Sequence, residues 1–229
     1  MGETTITMAE LKKLGDHAEL IGKALETVAF IAKPDVPIIE SFFDTATGDM
    51  LKLPEGWWGL GMVTTDGWTF SNESESNEVQ ALGYADPVRI DNVKNTRTIS
   101  VTALEKYKKQ LIELSEGVDL SAVKMSASGE VKYDAPAIAV MKEYRLLTIA
   151  RDGAPGDERY DVLLYPRVQL TKFPESAWNT EAMQVPLEFK AMVDTKAGTA
   201  CRRFLGGPWM KKHAGATGFE IESAVSPGA

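Results

Sequence analysis

The sequence predicts a mainly β (α+β) protein with a short flanking helix and a long β-hairpin arm. Three features of the pattern carry that prediction. Period-two alternation runs through Trp68–Ser71, returns at Val88 and Ile90 and at Ile99–Ala103, and is cleanest over Met183–Val193, where Met183, Val185, Leu187, Phe189, Ala191 and Val193 oppose Gln184, Glu188 and Lys190. Turn clusters at Thr65–Trp68 and Asp152–Asp157 separate strand-like runs. Helical spacing is confined to residues 8–31, chiefly their first half, and to residues 104–114. At 229 residues the chain makes one large domain, or one domain with extensions, against a prior of about 150 residues per domain.

Taken in order, Leu11, Leu14, Ala18, Ile21, Leu25 and Val28 recur at steps of three and four among charged residues, the pattern of an amphipathic helix. Val28–Ile31 reads as strand, and Pro34 and Pro37 forbid a continuing helix. A loop to about Glu55 follows, with Ile38, Ile39, Phe42, Phe43 and Leu51 expected to pin it to the body. Thr65-Asp66-Gly67-Trp68 reads as a hairpin turn. The stretch Asn72–Gln80 is almost wholly polar and is expected to join two strands as a long excursion. Leu104, Tyr107, Leu111 and Leu114 predict a short helix closed by Gly117. Residues 144–151, 159–171 and 182–194 read as strands, the first two as an antiparallel hairpin; Pro166 and Pro186 place parts of these strands at an edge or a bulge.

Composition narrows the function. Lys and Arg number 25 against 33 Asp and Glu, a formal charge of −8, the opposite of a phosphate-gripping footprint. One cysteine excludes an intramolecular disulfide, and Cys201 with only His17 and His213 leaves little for a zinc site. The N-terminus carries neither a signal-peptide pattern nor a myristoylation signal, and the longest apolar runs fall far short of the ~20 residues that span a bilayer. The expectation is a soluble chain made in the cytoplasm, with no membrane partner.

The candidate chemical motifs are weak. Gly59-Leu60-Gly61 lacks the third glycine of a dinucleotide fingerprint, with Thr64 in its place and no helix after it, so backbone crowding beside Trp57 and Trp58 is expected instead. Cys201 beside Arg202 and Arg203 has a reactive reading, set below that of a packed strand cysteine. Asp152, Asp157 and Glu158 offer oxygens for Ca²⁺, but a solvated turn is the simpler reading. Asn72-Glu73-Ser74 matches a glycosylation sequon, idle without export. No catalytic residue, metal site or cofactor is assigned. The polar excursion is the exceptional feature: Glu73, Glu75 and Glu78 lie close together, with Arg89, Lys94 and Arg97 on the returning strand. Such an arm exposes strand edges that template association with another chain.

Several segments together resemble the major tail tube proteins of long-tailed bacteriophages, especially those with actinobacterial hosts. They are Val28–Pro34, Leu60–Ser71 with its acidic-glycine turn, Arg97–Glu105 ending in Leu-Glu, Asp157–Val168 with Tyr165-Pro166-Arg167, and Val185–Asp194. The resemblance covers about residues 27–205, leaving an N-terminal helical arm (1–26) and a C-terminal extension (206–229) outside it. It implies a β-sandwich or barrel whose subunits form hexameric rings stacked into a tube, each lending a long hairpin to a shared inner barrel. The implied partners are further copies of the chain, other tail proteins (tape measure, tail tip, terminator) and passing double-stranded DNA held without tight binding; the implied location is the virion. On this reading Glu73, Glu75 and Glu78 face the lumen and Arg89, Lys94 and Arg97 make intersubunit bridges. A competing reading is a monomeric β-sandwich module binding carbohydrate through Trp57, Trp58 and Trp68. A hydrolase built on paired carboxylates is a third, although no pair stands out.

Overall fold

In the computed structural model, which describes residues 6–45 and 47–221, the first element is a helix, α1 (Met8–Gly15), opened by a capping box. Thr7 Oγ1 accepts from the Glu10 amide at 3.3 Å, and Glu10 Oε2 accepts from the Thr7 amide at 2.8 Å. The expected stripe through Ile21, Leu25 and Val28 does not continue as one helix. It ends at Gly15, a single 3-10 turn follows at Ala18–Leu20, and no residue of α1 is buried. Glycine and aspartate at the break disfavour helix, and the segment beyond is drawn out along the body. Lys23 N donates to Asp152 Oδ2 at 2.7 Å, and Leu25 N to the Arg151 carbonyl at 3.0 Å. Arg159 completes this clasp by donating to the Glu19 and Ile21 carbonyls while its guanidinium lies 4.7 Å from the Trp209 ring centre.

The strands are β1 (Glu26–Ala32), β2 (Trp58–Gly59), β3 (Val63–Val79), β4 (Arg89–Ala103), β5 (Glu143–Asp152), β6 (Arg159–Leu170), β7 (Val185–Ala191) and β8 (Arg202–Gly206). Helix α2 (Lys109–Glu116) follows β4, and the short helices α3 (Pro208–Lys212) and α4 (Ala214–Thr217) follow β8. The strands form one open antiparallel sheet in the order β2-β1-β5-β6-β7-β4-β3, with β8 also on β6. The fold is therefore mainly β, as the alternation predicts.

The bend in the sheet is made at Pro166. One edge of β6 serves two neighbours: Tyr160–Leu164 pair with β8 and Val168–Leu170 with β7. Pro166 occupies the gap between them, where the ladder needs no N–H from it. Opposite, β5 shifts register between Tyr144 and Leu146, so of the two alternatives read from the sequence this proline marks a bulge rather than an edge. Arg145, at the shift, is buried; it donates to the Pro166 carbonyl at 3.2 Å and the Pro34 carbonyl at 2.8 Å, with Asp194 Oδ2 3.8 Å away.

Curling at this corner lets distant strands share one core. Ala29 and Ile31 of β1, Leu146 of β5, Val168 of β6, Phe189 of β7 and Ile99 and Val101 of β4 belong to a single cluster, closed by Leu111 and Leu114 of α2. Gly117, at φ +65°, ends α2 as its place in the sequence predicts, whereas Leu104 and Tyr107 precede the helix rather than belong to it. The far face of β5 and β6 is covered by the 33–55 loop through Ile39 and Phe42, which pack on Leu147, Val162 and Leu164. Those two anchors are buried as expected, but Leu51 is exposed.

Two further expectations are corrected. Thr65–Trp68 is not a hairpin turn: Val63 pairs with Ala103 and Trp68 with Val101, so the stretch between is a wide bulge within one continuous strand. The Asp-Gly pair supplies the positive φ that either feature needs, Gly67 standing at φ +69°. The C-terminal extension is not free of the body from residue 206 onward, because Gly206 ends β8 and Trp209 is buried, its amide donating to the Glu158 carbonyl at 3.1 Å.

Candidate functional site: a polar sheet face and a projecting ribbon

The edge pair β3–β4 outruns the rest of the sheet. β7 pairs with β4 only over Arg97–Ala103, while β3 and β4 remain paired out to Val79 and Arg89. The polar excursion read from the sequence is thus the two strands of a ribbon. At ~3.3 Å per residue it stands about 23 Å clear of its last third-strand neighbour, from Asn72 to Val79. No residue from Glu73 to Thr96 is buried.

Directly paired residues share a face, so the register assigns every side chain. One face carries Thr69 and Ser100, Ser71 and Thr98, Glu73 and Thr96, and Glu75 and Lys94, continued on β7 by Glu188 and Lys190. It is polar throughout. The other face carries Trp68 and Val101, Phe70 and Ile99, then Asn72 and Arg97, and Ser74 and Asn95. That face begins as core and becomes polar where the ribbon leaves the body. The Trp68, Phe70 and Tyr165 rings form a stack with centres 6.3 and 6.4 Å apart, joining the root of the ribbon to β6.

This register separates residues that the sequence groups together. Glu73 and Glu75 lie on the polar face, but Glu78, paired with Ile90, falls on the opposite one. The register shift after Glu75 places its extra residue on β4, so alternation along β3 is unbroken. The cations separate as well. Lys94 pairs with Glu75, Arg89 pairs with Asp91 at 2.8 Å, and Arg97 sits across from Asn72 on the core-side face. The partners in both ion pairs are 42–70% exposed, a setting in which such pairs contribute about 0–1 kcal/mol.

The weaker motifs resolve into packing. Gly61, at φ +97°, is required by a close approach of the Glu105 carboxylate, and not by Trp57 or Trp58. Glu105 accepts from the Met62 amide at 2.9 Å and pairs with Lys108 at 2.8 Å; these contacts, Lys108 first, hold its carboxyl below the usual carboxylate range. Cys201 is half-buried just before β8, and burial pushes its thiol up, away from the thiolate a nucleophile needs. Asp152 is engaged by Lys23 N, Gly153 N and Arg159, and Asp157 by Lys212. Among the described residues no group of three or more His, Cys, Asp or Glu could hold a metal ion, and no helix is long and apolar enough to cross a membrane. The three tryptophans of the carbohydrate reading are divided: Trp57 packs with the outer cluster, Trp58 and Trp68 with the main core.

One feature escapes sequence reasoning. Around the turn that closes the ribbon, where Val88 N donates to the Val79 carbonyl at 2.9 Å, the side chains of Val79, Leu82, Tyr84, Val88 and Ile90 are all exposed. The signal was present as an apolar cluster flanked by polar strands, but only the structure shows that no other described residue covers it. Compared with known proteins, the chain matches no protein family and no curated protein.

Proposed function

We propose that this chain is the repeating subunit of a bacteriophage tail tube, assembling as hexameric rings that stack into the conduit for DNA, with the virion as its location and other tail proteins as its neighbours. The observation that carries this reading is the ribbon: two long strands, paired only with each other over residues 73–79 and 89–96, leave the body with unsatisfied edges and a face that is polar from Thr69 to Asn77. A two-stranded ribbon is marginally stable alone, and its edges favour pairing with other chains. A barrel wide enough to pass a duplex needs more strands than one chain supplies, since even 16 to 18 strands enclose only an aqueous channel.

The polar face supplies the chemistry of a conduit. Glu73, Glu75 and Glu188 repel a duplex that carries one negative charge per ~1.7 Å, across a screening length of about 8 Å at physiological salt. Glu73, Glu75 and Glu188 outnumber Lys94 and Lys190 on this face, and Lys94 is offset by Glu75, so the face stays net negative towards phosphate. Negative-stain electron microscopy of the purified protein across a concentration series tests the proposal. Rings or tubes with an axial channel are expected; compact monomers at every concentration, including after addition of a tail-tip initiator, overturn it.

A further inference from the structure

From root to tip, the core-side face of the ribbon carries Phe70 with Ile99, Asn72 with Arg97, Ser74 with Asn95, Ser76 with Asn92 and Glu78 with Ile90. Its charges stand at its two ends, and neither has a partner. Arg97 is half-buried yet makes no side-chain hydrogen bond or ion pair among the described residues, and Glu78 is exposed and equally alone. Neighbouring charges do not alter the balance. Arg203, which with Arg97 lies near Cys201, is paired with Asp161, and Arg89 is paired with Asp91. Asp86 in the closing turn has the sign of Glu78. The root is therefore positive and the tip negative. Along β3 the six residues from Asn72 to Glu78, at ~3.3 Å each, hold Arg97 and Glu78 about 20 Å apart, so no chain satisfies its own Arg97 with its own Glu78.

We propose that two copies pack these faces together about a two-fold axis, ribbons antiparallel, with Arg97 of each meeting Glu78 of the other. The occupant is a second copy because the face complements its own reversal. Its order is apolar root, cation, neutral Ser and Asn, anion, apolar tip, and turning it end for end sets each charge over its opposite. A two-fold axis level with Glu75 and Lys94 makes both ion pairs at once. It also sets the Ser and Asn centres on each other and lays Phe70, exposed at the root, against the end that carries Ile90, Leu82 and Tyr84, all exposed. Facing sheets lie ~10 Å apart, a gap that arginine and glutamate side chains bridge. The contact is small: a two-stranded face about 10 Å wide and 33 Å long covers roughly 300 Å² per copy, in the range of transient complexes. It also excludes the ring, since cyclic symmetry points every ribbon the same way and a two-fold pair points them oppositely. The dimer is thus a resting form that opens before assembly. The inference rests on the reading of the chain as a tube subunit and names what holds that subunit back.

Charge reversal tests it. R97E and E78R are each expected to raise the dimer dissociation constant at least about tenfold, measured by sedimentation velocity below the concentration at which rings form, and to form rings at lower concentration than the wild type. R97E/E78R exchanges the signs within one chain and is expected to dimerise like the wild type. An equimolar mixture of R97E and E78R regains both pairs and is expected to do the same. If R97E, at a half-buried site, fails to fold, E78R decides alone, because Glu78 is exposed. Unchanged dimers in E78R, no recovery in a folded double variant, or charge-dependent growth beyond dimers overturns the two-fold contact. Rings from the wild-type chain with no charge-dependent dimer overturn this contact and leave the tube reading standing. Charge-dependent dimers from a chain that forms no rings or tubes, as wild type or as E78R, overturn the tube reading and leave the contact standing. A wild-type chain that stays monomeric at every concentration overturns both.

Discussion

Excising residues 73–96 and joining Asn72 to Arg97 through an Asn-Gly turn separates what folds this protein from what it is proposed to assemble with. No excised residue is buried, and the exposed ion pairs lost, Glu75 with Lys94 and Arg89 with Asp91, contribute about 0–1 kcal/mol each. A two-stranded ribbon adds little of its own, so the expected change in stability is within about 1 kcal/mol, a shift of roughly 2–4 °C in Tm at this chain length. Phe189→Ala is the contrast. Phe189 is 0% exposed in the core cluster, and emptying such a site costs about 3–5 kcal/mol, or roughly 6–20 °C. Thermal unfolding followed by circular dichroism measures both, and electron microscopy of the shortened chain measures assembly. The expected result is a near-native melting curve with no rings or tubes. A loss above about 2 kcal/mol would refute the claim that the ribbon is energetically separate from the body, and persisting tubes would refute its role in assembly.

Three other predictions follow from the same geometry. Replacing Glu73 and Glu75 with Lys is expected to leave tube assembly intact but to slow DNA release in a salt-dependent way, because cations on the polar face would exchange places with phosphate counterions; release rates unchanged at low salt would remove those residues from the lumen. Gly61→Ala is expected to lower stability by about 1–3 kcal/mol, since the left-handed backbone and the Glu105 carboxylate both oppose a Cβ; an unaltered melting temperature would show that the loop relaxes freely. Asp194 is held below the usual carboxylate range by the Ala197 and Lys196 amides and by Arg145. Its folded pKa is depressed, so its contribution is present above the unfolded value of about 3.9 and lost as pH falls through the folded one. Asp194→Asn is therefore expected to melt lower at pH 7 yet lose less stability between pH 5 and 2 than the wild type, and parallel pH curves would count against this account.

Local chemistry explains which elements could be read from the residues alone. The β5–β6 hairpin was legible because Asp152-Gly-Ala-Pro-Gly-Asp157 allows little but a turn, and α2 because Leu111 and Leu114 repeat at helical spacing before Gly117. The strand β7 was legible from its strict alternation. The reading failed where one local signal serves two structures. Asp66-Gly67 supplies a positive φ to a hairpin turn and to a bulge alike, and only the pairing of Trp68 with Val101 decides between them. The stripe through Leu11, Leu14 and Ile21 has helical period, but α1 finds no surface on which to bury it and stops at Gly15.

That the chain is mainly β, carries a polar hairpin rich in Glu and can close no intramolecular disulfide follows from composition and nearest-neighbour periodicity. Tertiary structure alone decided that Glu73 and Glu75 share a face while Glu78 does not, since a face is set by register with β4. It also decided where the sheet turns its corner. Arg145 reaches the carbonyls of Pro34 and Pro166, residues far apart along the chain, and no local pattern announces that three such segments will meet. The same holds for β1 and β3, strands towards opposite ends of the sheet, brought together only when curling lets their side chains leave water for a common core.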